Sequence, residues 1–531
     1  MVKHSLRKEA GPIGLLYASL GGMIGSGWLF GSLHAAKMAG PLSLWSWVIG
    51  AIAVLLLALV YSELVTMVPK SGALVHLSHL SHGDQLGRIW GWILILGYVS
   101  IAPVEVMAVL TYTNNYLPGL VDPQTGLLTH LGFVVAILML ALIVSLNMLA
   151  IRWVLWINSV VTWWKIAIPL LTIVVLLLYS HHPQNLHTAV GDNAVTGVFT
   201  AVASAGVIFS FFGFRQAIDL AGETSRPSFY IPLAVIGSVV IAAIIYIGLQ
   251  FAFLLAINPS DIGQSWHTLH FEGASGPLAA LSISVGATWW AIILYGDAIA
   301  SPAGTGFIYT TASSRITMAA GEMRTLPRGM SEVNVRGVPV RALLLTFLAG
   351  AIFFFPFPSW QKLVGYISSV TVLSYSLGPV VLLHLRRTAP NAKRAFRLWW
   401  AWLIAPCAFI ISNWIILWTG YDTGNVLFGM IGAMFVVYVI YHYAFQRRPD
   451  KEFGWKQIAW IFPYFAGLWL LLYFGPASLG GHGNLSFEMD MVLSAVFSLL
   501  VLVLALLSGV SAKTSEDYLA QMTSEGEEAA P

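Results

Sequence analysis

The chain has 531 residues, of which 58% are hydrophobic and only 9% carry a charged side chain, with a formal net charge of +3. A water-facing surface usually needs about 25% charged residues, so the composition excludes a soluble globular domain and points to an all-α membrane protein. A single cysteine, Cys407, excludes an internal disulfide and a cysteine-based metal cluster. Basic residues scattered over separate short loops argue against nucleic-acid binding.

Residues 1–10 are basic and run into an apolar segment without a small-residue cleavage site, so they read as a cytoplasmic N-terminus before a retained helix. A spanning helix needs roughly 20 apolar residues to cross about 30 Å of hydrocarbon. About fourteen segments qualify: 11–37, 42–68, 88–113, 130–150, 153–180, 196–222, 229–257, 277–301, 339–357, 360–385, 398–420, 425–446, 458–474 and 488–510. The stretch 303–322 is short and polar and reads as a helical loop; the tail 511–531, acidic at its end, reads as cytoplasmic and disordered.

With the N-terminus inside, nearly all of the 26 Lys and Arg residues fall on the cytoplasmic side, while the outer loops 181–195 and 258–276 contain none. Lys37 and Lys362 fall outside, and Lys165 and Arg215 lie within spans. Basic residues are held back on the cytoplasmic side during insertion, so the asymmetry supports this count. It also supports a multi-pass protein of the cell membrane with both termini inside.

The first span contains Gly21-Gly22-Met23-Ile24-Gly25-Ser26-Gly27-Trp28, and each glycine weakens a helix by about 1 kcal/mol relative to alanine. The sixth contains Phe209-Ser210-Phe211-Phe212-Gly213-Phe214-Arg215, followed by Asp219 and Glu223. Interrupted helices at equivalent places in two five-helix halves point to a transporter binding site. Close packing of small residues is the plainer reading of the glycine run alone. The amides opening the second half of a broken helix can hold a carboxylate, and exposed carbonyls in the other break can accept from an ammonium group. Together they suit the zwitterionic end of an α-amino acid.

These residues resemble the amino acid–polyamine–organocation (APC) transporters over roughly 11–385. Gly22-Met23-Ile24-Gly25-Ser26-Gly27 resembles the GxxIGxG signature of the first helix. Tyr61-Ser62-Glu63-Leu64 through Pro69-Lys70-Ser71-Gly72 resembles (Y/F)xEL…PxSGG, with Ala73 in place of the last glycine. Phe209 to Phe214 resembles FAFxGF, with Ala221-Gly222-Glu223-Thr224 near the AEE segment. Ser314-Arg315, Leu326-Pro327 and Gly337-Val338-Pro339 resemble the SR…LP…GxP loop. Fourteen spans and Ser301-Pro302-Ala303-Gly304-Thr305-Gly306 look closer to the bacterial aspartate/glutamate–proton symporters.

The resemblance implies the inverted-repeat fold of the bacterial leucine transporter, with one repeat over 11–180, a second over 196–385, and accessory helices over 398–510. It also implies a carboxylate site on the amides of Ile24, Gly25, Ser26 and Gly27, the Ser26 hydroxyl assisting. The carbonyls of Phe209, Ser210 and Phe212 would hold the amino group, Phe211 would act as an outer gate, and Lys165 would stand beside the first break.

An ionisable residue near the bilayer centre costs at least ~2.5–3.5 kcal/mol and needs a partner or a purpose. Lys165 is either a proton-coupling group or a fixed structural cation. Arg215 either pairs bidentately with a substrate's side-chain carboxylate or forms an ion pair with Asp219 one turn on. Glu105 and Asp297 are candidate proton carriers, with partners that sequence alone does not assign. Glu63 and Glu223 sit near cytoplasmic ends, where loop amides or arginines would hold them. His76, His79 and His82 read as one face of a wetted loop, and the outer His181, His182 and His187 lack the companions of a zinc site.

The leading expectation is a proton-coupled importer of amino acids, acidic ones favoured, acting in the lipid bilayer as a monomer or weak homo-oligomer. The alternatives are an exchanger of the same fold, uptake of neutral amino acids, or a membrane receptor that does not transport. No cofactor, metal or enzymatic constellation is expected.

Overall fold

The computed structural model describes residues 11–528 except 69–72, 123–124, 149–150, 189–193, 222–223, 225, 264, 270, 272–275, 324, 335–337, 356–358 and 446–453. The N-terminal residues 1–10, the Pro69-Lys70-Ser71-Gly72 segment, Glu223 and Gly337 therefore lie outside the described residues.

The described chain is helical almost throughout. The first expected span is two helices, α1 (Pro12–Met23) and α2 (Gly27–Ala39), followed by α3 (Ser43–Met67), α4 (Ala73–Val99) and α5 (Ile101–Thr113). Next come α6 (His130–Leu146), α7 (Ile151–Tyr179) and α8 (Ala194–Ser204). A 3-10 turn over Phe209–Arg215 leads into the single-turn α9 (Gln216–Asp219), then α10 (Pro227–Ala256) and the short α11 (Pro259–Ile262). Beyond lie α12 (Pro277–Ser284), α13 (Thr288–Glu322), α14 (Val340–Ile352) and α15 (Trp360–Thr388). The C-terminal part adds α16 (Ala401–Trp418), α17 (Tyr421–Phe445), α18 (Trp455–Ile458), α19 (Ile461–Phe474), α20 (Phe487–Ser508) and α21 (Ala512–Glu528).

Among the described residues, ten helices are long and apolar enough to cross a membrane, or eleven if the bent pair Ala194–Ser204 and Phe209–Asp219 counts as one. The fourteen expected from sequence exceed this because α1, α6 and α14 are apolar but have fewer than 18 residues. A helix rises only ~1.5 Å per residue, so such lengths do not cover the hydrocarbon unaided. The protein is an all-helical, multi-span membrane protein.

Two other expectations are corrected. The polar stretch 303–322 is no loop: α13 runs unbroken through Pro302 to Glu322. Its polar residues are tolerated because one side of the helix is inside the bundle, with Thr305, Tyr309, Thr310 and Thr317 buried. The tail expected to be disordered forms α21, which docks on the first half of α4. Ser515 donates to the Leu80 carbonyl, and the Tyr518 ring lies 4.3 Å from that of His79. The histidines of this region are accordingly on a helix: His82 is buried and bonded to Ser81 and the Ala505 carbonyl, and His79 pairs with Asp84 at 2.8 Å.

Burial orders the helices. In the apolar windows of His76–Thr113 (α4 and α5) and of α15, 94% of residues are buried, against 22–33% in α17, α19 and α20. The α4–α5 and α15 rods therefore form the centre, and the last helices face lipid. Around that centre α3 packs on α10, α5 on α13, and α1 on α10 and the 3-10 turn. At one end of α15, Arg386 grips the buried Glu63 of α3 with two bonds of 2.8 and 2.6 Å. The Leu398 amide (2.7 Å) and Arg394 (3.1 Å) complete this clamp, as expected for a glutamate at a helix end.

Candidate functional site

Helix α1 stops because Ile24 leaves helical geometry (φ −84°, ψ 81°), and α2 restarts at Gly27. Such a break leaves carbonyls without partners at the end of α1 and amides without partners at the start of α2. The structure fills both ends with charged side chains. The Lys165 ammonium donates to the Gly21 carbonyl at 2.8 Å and to Thr305 Oγ1 at 2.6 Å. The Glu105 carboxylate accepts from the Ser26 amide at 2.8 Å. A cation thus sits at the negative end of one half-helix and an anion at the positive end of the next, which is the arrangement helix dipoles favour. Both side chains are fully buried.

The two breaks lie against each other. Gly213 is there because no side chain fits: a Cβ would stand 2.2 Å from the Met23 nitrogen and 2.3 Å from the Gly22 carbonyl carbon. At Gly27 a Cβ would meet Ser210 Oγ at 2.1 Å, and at Gly25 it would meet Glu105 Oε1 at 2.6 Å. Tyr246 ties the breaks further, with its hydroxyl 3.0 Å from the Met23 carbonyl and 3.2 Å from that of Ser210. The glycine run is therefore both a break and a close-packing seam, so the two readings of the sequence are not exclusive.

Of the residues expected to bind substrate, the Ile24 and Gly25 amides bond to the Leu20 and Met23 carbonyls (2.9 and 3.0 Å). The Ser26 amide holds Glu105. The Ser26 hydroxyl accepts from the indole of Trp360 at 2.9 Å. Phe211 is fully buried, with its ring packed on Trp47 and Tyr246. The ring that covers Ser26 is instead Trp360, stacked 4.6 Å from Phe30 and 5.6 Å from His34, with Phe209 edge-on. Sequence reasoning missed Trp360 and Thr305. Thr305 stood in the Ser301–Gly306 element without a role of its own, and Trp360 was one of 21 tryptophans.

Asp297 accepts from Trp164 (2.7 Å) and Ser301 (2.6 Å). With Glu105 it lies within electrostatic reach of Lys165. Arg215 is elsewhere. Its side chain, fully buried, is stacked 3.6 Å from the centre of the Tyr98 ring, with Tyr309 and Tyr375 at 5.0 and 5.6 Å. Among the described residues its nitrogens make no hydrogen bond and no ion pair. The Arg215–Asp219 pair allowed by helical spacing is not formed, because Tyr98 donates to Asp219 Oδ2 at 2.5 Å and holds the carboxylate.

Two apposed helix breaks inside a multi-span bundle, one capped at both ends by buried charges, define a membrane transporter of the broken-helix type. The family model of amino acid permeases matches residues 11–441, and the chain belongs to that family, the APC transporters. It is 37% identical over 527 residues to the glutamate/serine transporter AimA of Bacillus subtilis, covering 97% of this chain and 96% of that one. It is 30% identical over 519 residues to the aspartate-proton symporter of the same organism, covering 97% and 99%. The protein is an amino acid transporter, not an enzyme.

Proposed function

We propose that this chain imports amino acids by proton symport across the cell membrane, acidic amino acids being favoured. The observation that carries the reading is the pair of charges at the first break. Lys165 supplies to the α1 carbonyls the positive charge that a bound metal ion would otherwise supply, and Glu105 occupies the amide that a substrate carboxylate needs. A substrate carboxylate arriving at Ser26 displaces Glu105, which takes up a proton rather than remain buried as a bare charge, with Lys165 and Asp297 as the other proton-handling groups.

In this scheme the amides of Ile24 to Gly27 hold the substrate carboxylate once the break opens, and the carbonyls of Phe209, Ser210 and Phe212 hold its amino group. Arg215 biases selection toward acidic side chains. The names of the two relatives, one acting on glutamate and serine and one on aspartate with protons, support the same substrate class. The same reading takes the chain as two inverted five-helix repeats with four accessory helices, fourteen spans in all, and both termini cytoplasmic.

The test is uptake into liposomes by purified protein, using radiolabelled glutamate, aspartate and serine with and without an inward proton gradient. Gradient-stimulated uptake of the acidic substrates is expected, and Lys165→Ala should abolish the stimulation. Unchanged gradient-driven uptake in Lys165→Ala would sink the coupling role.

A further inference from the structure

We propose that Arg215 forms a second anion-binding site, separate from the helix-break site, that takes a carboxylate or a halide. Five elements build it: the consecutive 3-10 turn and α9 supply Arg215, Gln216 and Asp219, α4 supplies Tyr98, α13 Tyr309 and α15 Tyr375.

Its position follows from the spacing on each element. Arg215 lies five residues beyond Ser210, about 10 Å along a 3-10 helix. Tyr309 is one turn beyond Thr305, about 6 Å, and Tyr98 is two turns before Glu105, roughly 10 Å. On α15 the order is Trp360 over Ser26, then Tyr375 at Arg215, then Arg386 in the Glu63 clamp. The Arg215 chamber therefore sits between the break and the clamped end of the bundle.

The guanidinium has a carboxylate within electrostatic reach, Asp219, but Tyr98 holds that carboxylate instead. A guanidinium offers five N–H donors and keeps its proton under all ordinary conditions. Among the described residues, all three nitrogens are buried without an acceptor. The faces of three tyrosines offset part of the cost of burying the cation, but they accept no N–H in its plane. The other polar atoms left open are the Gln216 amide nitrogen, a donor, and the hydroxyls of Tyr309 and Tyr375, which can donate or accept. Tyr309 neighbours both Gln216 and Arg215. The facing carboxylate, Asp219, is held by Tyr98 through Oδ2 with its Oδ1 open, and Arg215 and Arg315 both lie within electrostatic reach of it. Donors converging on a buried, unpaired arginine make a receptor for a small anion, and the planar fork fits a carboxylate best.

The site has two possible sources of ligand, the side chain of an acidic substrate on its way through and a free halide. The proposal rests on the acidic-substrate reading only for the first of them. The experiment uses the purified full chain in lipid nanodiscs with no proton gradient. Equilibrium binding counts glutamate and serine per chain, and thermal unfolding is followed in chloride against gluconate. Two glutamates but one serine per chain, falling to one glutamate in Arg215→Gln, assign the site to substrate. One glutamate per chain, with a chloride-dependent rise in Tm that Arg215→Gln removes, assigns it to a halide. One glutamate per chain and no chloride effect in the unaltered protein overturns the proposal.

The count and the chloride response of the unaltered protein decide the matter even if Arg215→Gln does not fold. Arg215→Lys, which keeps the charge and loses the fork, should weaken the second site about tenfold while one serine still binds. Absence of serine and glutamate binding altogether would count against the amino acid site at the break, and the chloride arm would still read the chamber.

Discussion

The two helix breaks touch, yet they handle charge in opposite ways. At the first, Lys165 and Glu105 each meet a half-helix end of the sign they neutralise. At the second, Arg215 is buried among three aromatic rings, and among the described residues nothing accepts from its N–H groups. Charges that satisfy a helix end hold a closed arrangement in place. In the proposed scheme, substrate competes at the first break with Glu105 and Trp360, whereas the carboxylate facing Arg215, Asp219, is held away by Tyr98.

The contact between the breaks is the most sensitive place. Gly213→Ala drives a methyl into the backbone of Met23 and Gly22, and overpacking of this kind costs about 1–3 kcal/mol. Loss of transport and a fall in Tm of several degrees are expected in detergent-solubilised protein, and a wild-type Tm would show that the seam yields.

Glu105→Gln attacks the first break alone. The amide side chain still accepts from Ser26 but carries no charge to compete with a substrate carboxylate. Glutamate binding without a gradient should tighten severalfold while stimulation by an inward proton gradient falls at least about tenfold. If binding and stimulation fell together, Glu105 would be a structural partner of the break rather than a competitor.

Trp360→Phe keeps an aromatic cover over Ser26 and removes the indole N–H, a bond worth about 1 kcal/mol. The apparent KM for uptake should drop about fivefold, since substrate no longer has to displace that donor. An unchanged KM would mean that Trp360 is packing only.

The smallest effect is expected at Tyr98→Phe, which frees Asp219 to pair with Arg215 one turn away. The second break would then resemble the first, with its charge internally satisfied. Preference for glutamate over serine in competition uptake should fall about twofold to threefold, and a preserved preference would place acidic selection outside the Arg215 chamber.

Much of this was legible in the sequence because membrane burial makes certain residues expensive. Lys165, Glu105, Asp297 and Arg215 stood out as charges in apolar segments, and all four are buried. The glycine run at 21–27 and the single Gly213 stood at the two breaks because few other residues tolerate an opened helix packed against a second backbone. The order of helices followed from apolar length. Where length was short or composition polar the reading failed: 303–322 is helix because neighbouring helices bury it, and 512–528 is helix because α4 offers it a surface.

Composition and apolar length determined by themselves that this is a multi-span membrane protein, and the signature motifs carried the resemblance to amino acid transporters. The partner of each charge was decided only in three dimensions. Helical spacing offered Asp219 to Arg215, and a tyrosine more than a hundred positions away in the chain took it instead. Ser26 is covered by a tryptophan 334 residues away, and Lys165 reaches a carbonyl 144 residues away. Hydrogen bonds and ion pairs act over about 3 Å, so their partners are set by how helices pack, and no local pattern in the chain records that distance.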